Sequence, residues 1–117
     1  MKISSYKDLI VWQKSMDLVS SIYDLTDLFP KKEMYCLSDQ MRRCSISIPS
    51  NIAEGSRRGS KADFRKFLYY SYGSGAELET QLEISRRRMY GELKKYKEMN
   101  ACLNEIMRML NGLIRSL

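Results

Sequence analysis

The sequence predicts an all-α protein, an antiparallel up-and-down four-helix bundle with a proline kink in its second helix. Three observations carry this. Apolar residues recur every three or four positions through four long stretches, and no strand-like alternation persists. Only two prolines and six glycines interrupt the 117 residues. Phe29-Pro30, Gly59-Ser60 and Gly91 punctuate the helical stretches, leaving connections too short for a helix to cross over.

The first helix, expected over about 7–28, steps through Leu9, Trp12, Met16, Val19 and Tyr23 until Phe29-Pro30 stops it. The second, over about 32–58, carries Met34, Leu37, Met41, Cys44 and Ile48, passes Pro49 and runs to Gly55 or just beyond. Proline inside a helix removes a hydrogen bond and clashes with the preceding turn, at a cost of roughly 3 kcal/mol, so the neighbours of Pro49 must be arranged around it. Asn51 is expected to bond backbone groups that Pro49 frees. Ser60 with Asp63 reads as an N-cap and a first-turn acid opening the third helix, over about 61–89. Its stripe is Phe64, Leu68, Ser71, Gly75, Leu78, Leu82, Ser85 and Met89. The fourth, over about 92–116, runs Tyr96, Met99, Leu103, Ile106, Leu110, Leu113 and Leu117. All four belong to one domain spanning 1–117.

Short turns also set which residues lie level. With the second turn near Gly59, residues of the second and third helices whose numbers add to about 119 should face each other. Pro49 then lies opposite Tyr70, within a turn of Ser71, Gly73 and Gly75, where the third helix gives up bulk. Glycine inside a helix costs about 1 kcal/mol relative to alanine, and close backbone approach is the usual reason for it. The same register pairs Arg42 or Arg43 with Glu77, Gln40 with Glu79, and Glu54 with Arg65. Around the third turn, Leu82 should face Met99 and Leu78 should face Leu103.

Composition narrows function mainly by exclusion. There is no histidine, no nucleophile motif and no glycine loop placed to cradle phosphate. Glu77, Glu79 and Glu83 lack the Glu-x-x-His partners of a di-metal bundle, so neither metal nor cofactor is expected and an enzyme is disfavoured. Cys36, Cys44 and Cys102 read as small apolar residues of a reducing compartment. No apolar run of about 20 residues and no signal-like start are present, so a cytoplasmic protein without a membrane segment is expected.

Twenty basic residues against fourteen acidic ones leave a net charge of +6, which favours anionic partners. In an up-and-down bundle the first and third turns share one end. That end gathers Lys31, Lys32, Arg86, Arg87, Arg88, Lys94, Lys95 and Lys97, with Tyr90 and Tyr96 nearby as candidates for stacking on bases. The other end carries Arg57, Arg58, Lys61, Arg65 and Lys66. Such clusters suit phosphate contact, although basic residues at helix C-termini also answer the helix dipole. At least one of Arg42 and Arg43 must lie near the interior, held by Glu77 or Glu79 or, alternatively, gripping nucleic acid. Tyr69, Tyr70 and Tyr72, with Met107, Met109 and Ile114, fall outside the main stripes; a wider core stripe would accommodate them, but a subunit interface is the favoured reading.

The motifs resemble a family. Leu9-Ile10-Val11-Trp12-Gln13, Phe29-Pro30 with Glu33 and Leu37, Gln40–Arg43, Ser47–Gly55, Phe64, Phe67-Leu68 and Gly75–Gln81 together are similar to the 23S rRNA intervening-sequence proteins. That family includes accessory proteins of diversity-generating retroelements. The block Ser47-Ile48-Pro49-Ser50-Asn51-Ile52-Ala53-Glu54-Gly55 is the most specific element, and the resemblance spans nearly the whole chain. Cys44 stands where a small residue is usual after the paired arginines, and Cys36 where a glycine is usual before Leu37. The resemblance implies a homopentameric barrel of four-helix protomers with basic surfaces, linked in the retroelement relatives to nucleic acid and to a reverse-transcriptase partner. The expected function is therefore a non-enzymatic accessory protein that binds RNA or DNA through basic surfaces. The alternative is a self-associating scaffold that binds another protein.

Overall fold

The structure, a computed structural model, describes residues 5–117. Helices α1 (Ile10–Thr26), α2 (Leu37–Ser56), α3 (Lys61–Arg87) and α4 (Leu93–Ser116) form an up-and-down bundle. Each helix packs on the next, and α4 closes back onto α1. The described residues span 44 × 25 × 19 Å, so the two ends of the bundle are well separated.

Local chemistry sets the helix ends. The Ser5 hydroxyl accepts from the Lys7 N–H, and a short 3₁₀ turn, Tyr6–Asp8, leads into α1. Helix α1 stops before Pro30, and a second 3₁₀ turn, Lys31–Glu33, fills the first connection, so α2 begins at Leu37 and not near 32. Ser60 caps α3 as expected, its Oγ accepting from the Asp63 N–H at 3.1 Å. Helix α3 ends two residues earlier than expected, in a Schellman turn where the Tyr90 N–H reaches the Ser85 carbonyl at 3.1 Å. Met89 occupies the left-handed position of that turn, with φ 60°.

Every core residue expected on α3 from Phe64 to Ser85 is buried. Met89 is not, being 86% exposed, and Met34 is also outside the core. On α1 the expected stripe is displaced by about one residue. Val11, Ser15, Leu18, Ile22 and Leu25 are buried, whereas Met16 and Tyr23 are exposed and Trp12 is half-buried, edge-on to Tyr6. Two adjacent apolar stripes run along this helix, and the 3.6-residue period does not by itself choose between them. Ile114 of α4 belongs to the core; Met107 and Met109 are half-buried against it, which is the wider-stripe outcome.

Register between α2 and α3 follows the expected sum closely. The buried Ser71 hydroxyl donates to the Ile48 carbonyl at 2.8 Å, the Cys44 thiol donates to the Ser74 carbonyl at 3.0 Å, and the Ser47 and Ser74 hydroxyls lie 2.8 Å apart. Pro49 is buried inside α2, which continues past it to Ser56. Asn51 does bond backbone next to the proline, but it donates to the Ser47 carbonyl at 2.9 Å. The carbonyl that Pro49 leaves without its usual donor is four residues back, at Ser45.

Two glycines sit where helices touch. A Cβ on Gly55 would lie 2.6 Å from the Phe67 Cβ, and one on Gly75 would collide with the Met107 sulfur of α4. Gly73 departs from expectation, since a Cβ there would meet open space.

Candidate nucleic-acid interface

The structure divides the expected cationic residues into those held by acidic or aromatic groups and those exposed without an ion pair among the described residues. Arg42 reaches from α2 to the end of α1. Its Nε donates to Thr26 Oγ1 at 2.8 Å, an NH2 group donates to Asp27 Oδ1 at 2.8 Å, and the guanidinium lies over the Tyr23 ring. The expected bridge from Arg42 or Arg43 to Glu77 does not form. Arg43 pairs with Asp39 one turn earlier on its own helix. Cys44 occupies the interior position instead, its sulfur 3.9 Å from Glu77 Oε2. Burial, and then the Glu77 charge, pushes the Cys44 thiol up to about 12.

The other two expected pairs do not form either. Glu54 takes Arg58 at 2.6 Å and not Arg65. Gln40 and Glu79 both point outward and make no bond to each other. Neighbours one turn apart on a helix are already within reach, so a solvated pair forms locally before it bridges two helices.

At the end formed by the first and third turns, the tyrosine offered for stacking is structural. The Tyr90 hydroxyl donates to Glu33 Oε2 at 3.0 Å and its ring packs on Phe29, tying the two turns together. Tyr96 is buried and donates to the Tyr90 carbonyl. Glu83 receives Arg86 in a two-pronged bond at 2.9 and 2.7 Å and Arg87 at 2.9 Å. These two arginines hold the Glu83 carboxyl down to about 2, so the trio keeps its charges at any ordinary pH. Lys31, Lys32, Arg88, Lys94, Lys95 and Lys97 are exposed and form no ion pair with the described residues.

At the opposite end, Arg57 lies over the Tyr6 ring, Arg58 over Phe67 and Lys66 over Tyr70. Lys61 and Arg65 are exposed without a described acidic partner. A depression lined by Ser5, Tyr6, Arg57, Lys61 and Phe64 opens between these groups. Among the described residues, no three histidine, cysteine or acidic side chains gather as metal ligands, and no helix is long and apolar enough to cross a membrane.

The sequence profile of the 23S rRNA-intervening sequence protein family matches residues 7–112, covering the first three helices and most of the fourth. The chain belongs to that family. A crystal structure of a protein of unknown function from the S23 ribosomal protein family of Bacteroides thetaiotaomicron is similar to it. That relative is 29% identical, with a TM-score of 0.83 over 91% of this chain and 96% of the other. No curated protein matches. In this intervening-sequence protein, reading the sequence alone missed the Glu83 fork and the Arg42–Thr26 tie. The fork was legible, since Glu83 stands three and four residues before the paired arginines. The tie depends on how α1 is rotated, which the two competing stripes left open.

Proposed function

We propose that this intervening-sequence protein is a non-enzymatic accessory factor that binds RNA or DNA through the unpaired cations at its bundle ends. The observation that carries this is the contrast within the third-turn cluster. Glu83 absorbs Arg86 and Arg87, while Arg88, Lys94, Lys95 and Lys97, like Lys31 and Lys32 at the same end, stay exposed and form no ion pair with the described residues. Cations left unpaired at one end of a +6 chain suit a chain of phosphates. The family's name, which refers to intervening sequences of 23S rRNA, supports the same partner class. Phosphate contacts of this kind position a strand with little base selectivity.

A salt titration tests this by fluorescence anisotropy of a labelled oligonucleotide. Affinity should fall linearly on a log–log plot, and Glu83→Gln should both tighten binding and steepen the slope, by about 0.7 for each arginine released onto a single strand. Affinity that ignores salt, or is unmoved by Glu83→Gln and by replacing Arg88 and Lys94 with glutamine, removes this end from the nucleic-acid reading.

Self-association is part of the same reading, and a specific surface favours it. Tyr69, Tyr72, Gly73 and Ala76 form an exposed uncharged patch of α3, and Thr80 and Ile84 continue it beside Glu79, Glu83 and Arg87. Gly73 weakens the helix within that patch with no neighbour among the described residues to require it. Close approach of another copy supplies the reason, and the family resemblance implies five copies. Sedimentation equilibrium should return a multiple of the 13.7 kDa chain mass; a monomer at micromolar concentration overturns this part.

A further inference from the structure

The four most exposed large apolar side chains of the described residues are Tyr35 at 87%, Met89 at 86%, Leu28 at 75% and Leu93 at 62%. All four belong to the first and third connections or their edges, so all lie at one end of the bundle. The Tyr90–Glu33 bond and the Phe29–Tyr90 contact hold those connections against each other. Unpaired cations are interleaved with them along the chain: Lys31 and Lys32 before Tyr35, Arg88 before Met89, and Lys94 after Leu93.

Met89 sharpens the point. It holds φ 60°, a conformation that glycine adopts freely and a side chain does not. The protein therefore accepts backbone strain to keep a flexible apolar side chain at a position where none of the described residues covers it. Helix C-termini of this type ordinarily carry glycine. A helix-dipole explanation accounts for Arg88 but not for Met89.

We infer that this end is a binding site for single-stranded nucleic acid, with Tyr35, Met89 and Leu93 covering the faces of unstacked bases. The inference rests on the nucleic-acid reading above and narrows it. Phosphates lie against Lys31, Lys32, Arg88 and Lys94. Bases are available to apolar side chains only where they are not paired and stacked in a duplex, and stacking on aromatic rings tolerates any base. Cations alternating with apolar groups match a strand in which phosphates alternate with bases. An interfacial membrane helix instead separates the two onto opposite faces. The adjoining groove of about 280 Å³ includes Leu28 and Lys95 but also Asp24, Glu92 and Glu98, so the phosphates are kept outside it.

The test compares a 20-nucleotide oligo-dT or oligo-U with a duplex of equal length, at one salt concentration, using the intact protein. The expected result is tighter binding of the single strand. Tyr35→Ala should weaken it by at least about fivefold, the lower range for loss of one stacked base. Met89→Gly should weaken single-strand binding while leaving the melting temperature unchanged or raised, because glycine relieves the backbone. Opposite signs in binding and stability separate a contact residue from a structural one. Equal affinity for both nucleic acids, insensitive to Tyr35→Ala and Met89→Gly but salt-dependent, overturns this inference and leaves the broader reading standing. Binding to vesicles of phosphatidylglycerol with no oligonucleotide binding overturns both.

Discussion

Gly55→Val is expected to destabilise the protein by about 3 kcal/mol, the upper part of the range for overpacking a tight contact. The cause lies in what surrounds the added carbon. It would stand 2.6 Å from the Phe67 Cβ and 3.3 Å from the Phe64 carbonyl oxygen, and both belong to, or are fixed directly on, the α3 backbone. No rotamer relieves such a contact, so α2 and α3 must separate next to their shared turn. The gain in helix propensity on leaving glycine, below about 1 kcal/mol, does not offset this. Thermal unfolding followed by circular dichroism should show a midpoint lower by roughly 10 °C or more. Gly75→Ala provides the contrast. Its added carbon meets the thioether of Met107, a flexible side chain that can swing aside, so the loss should be clearly smaller. A Gly55→Val midpoint within 2 °C of the parent would contradict the close approach of the two helices.

Arg42→Met should cost about 2 kcal/mol and Arg43→Met less than about 0.5 kcal/mol, although the two arginines are neighbours in the chain. Arg42 makes a charged hydrogen bond to a Thr26 hydroxyl that is itself buried, and it ends α1 with a positive charge where the helix dipole favours one. Methionine retains the apolar stem but leaves that hydroxyl short of a donor. Arg43 is mostly solvated and holds only Asp39. Urea unfolding of the two variants separates them. Equal effects, in either direction, would show that the tie to α1 contributes nothing beyond a surface pair.

These cases also show what the sequence disclosed. The four helices, their order and the α2–α3 register were legible because short turns leave little freedom, and the Ser71–Ile48 bond falls where that register puts it. Individual ion pairs were not legible. Glu54, Arg43 and Glu83 each found a partner three or four residues away on the same helix, and register arguments across the bundle pass over such local solutions. The rotation of α1 was ambiguous because Leu9, Trp12 and Val19 are as apolar as the residues that became buried. The candidate site was visible as a basic cluster. Its apolar half was hidden because Met34 and Met89 extend the helical period by one turn beyond the true helix ends, and so read as core.

The three thiols are graded by their surroundings. Burial raises Cys102, and burial with the Glu77 charge raises Cys44 further, so at mildly alkaline pH both remain in the unreactive protonated form. Cys36 is exposed at the start of α2, next to Tyr35. The chain thus carries a natural attachment point for a fluorescent or spin label beside the surface assigned to the strand, and no cysteine has to be removed or introduced to use it.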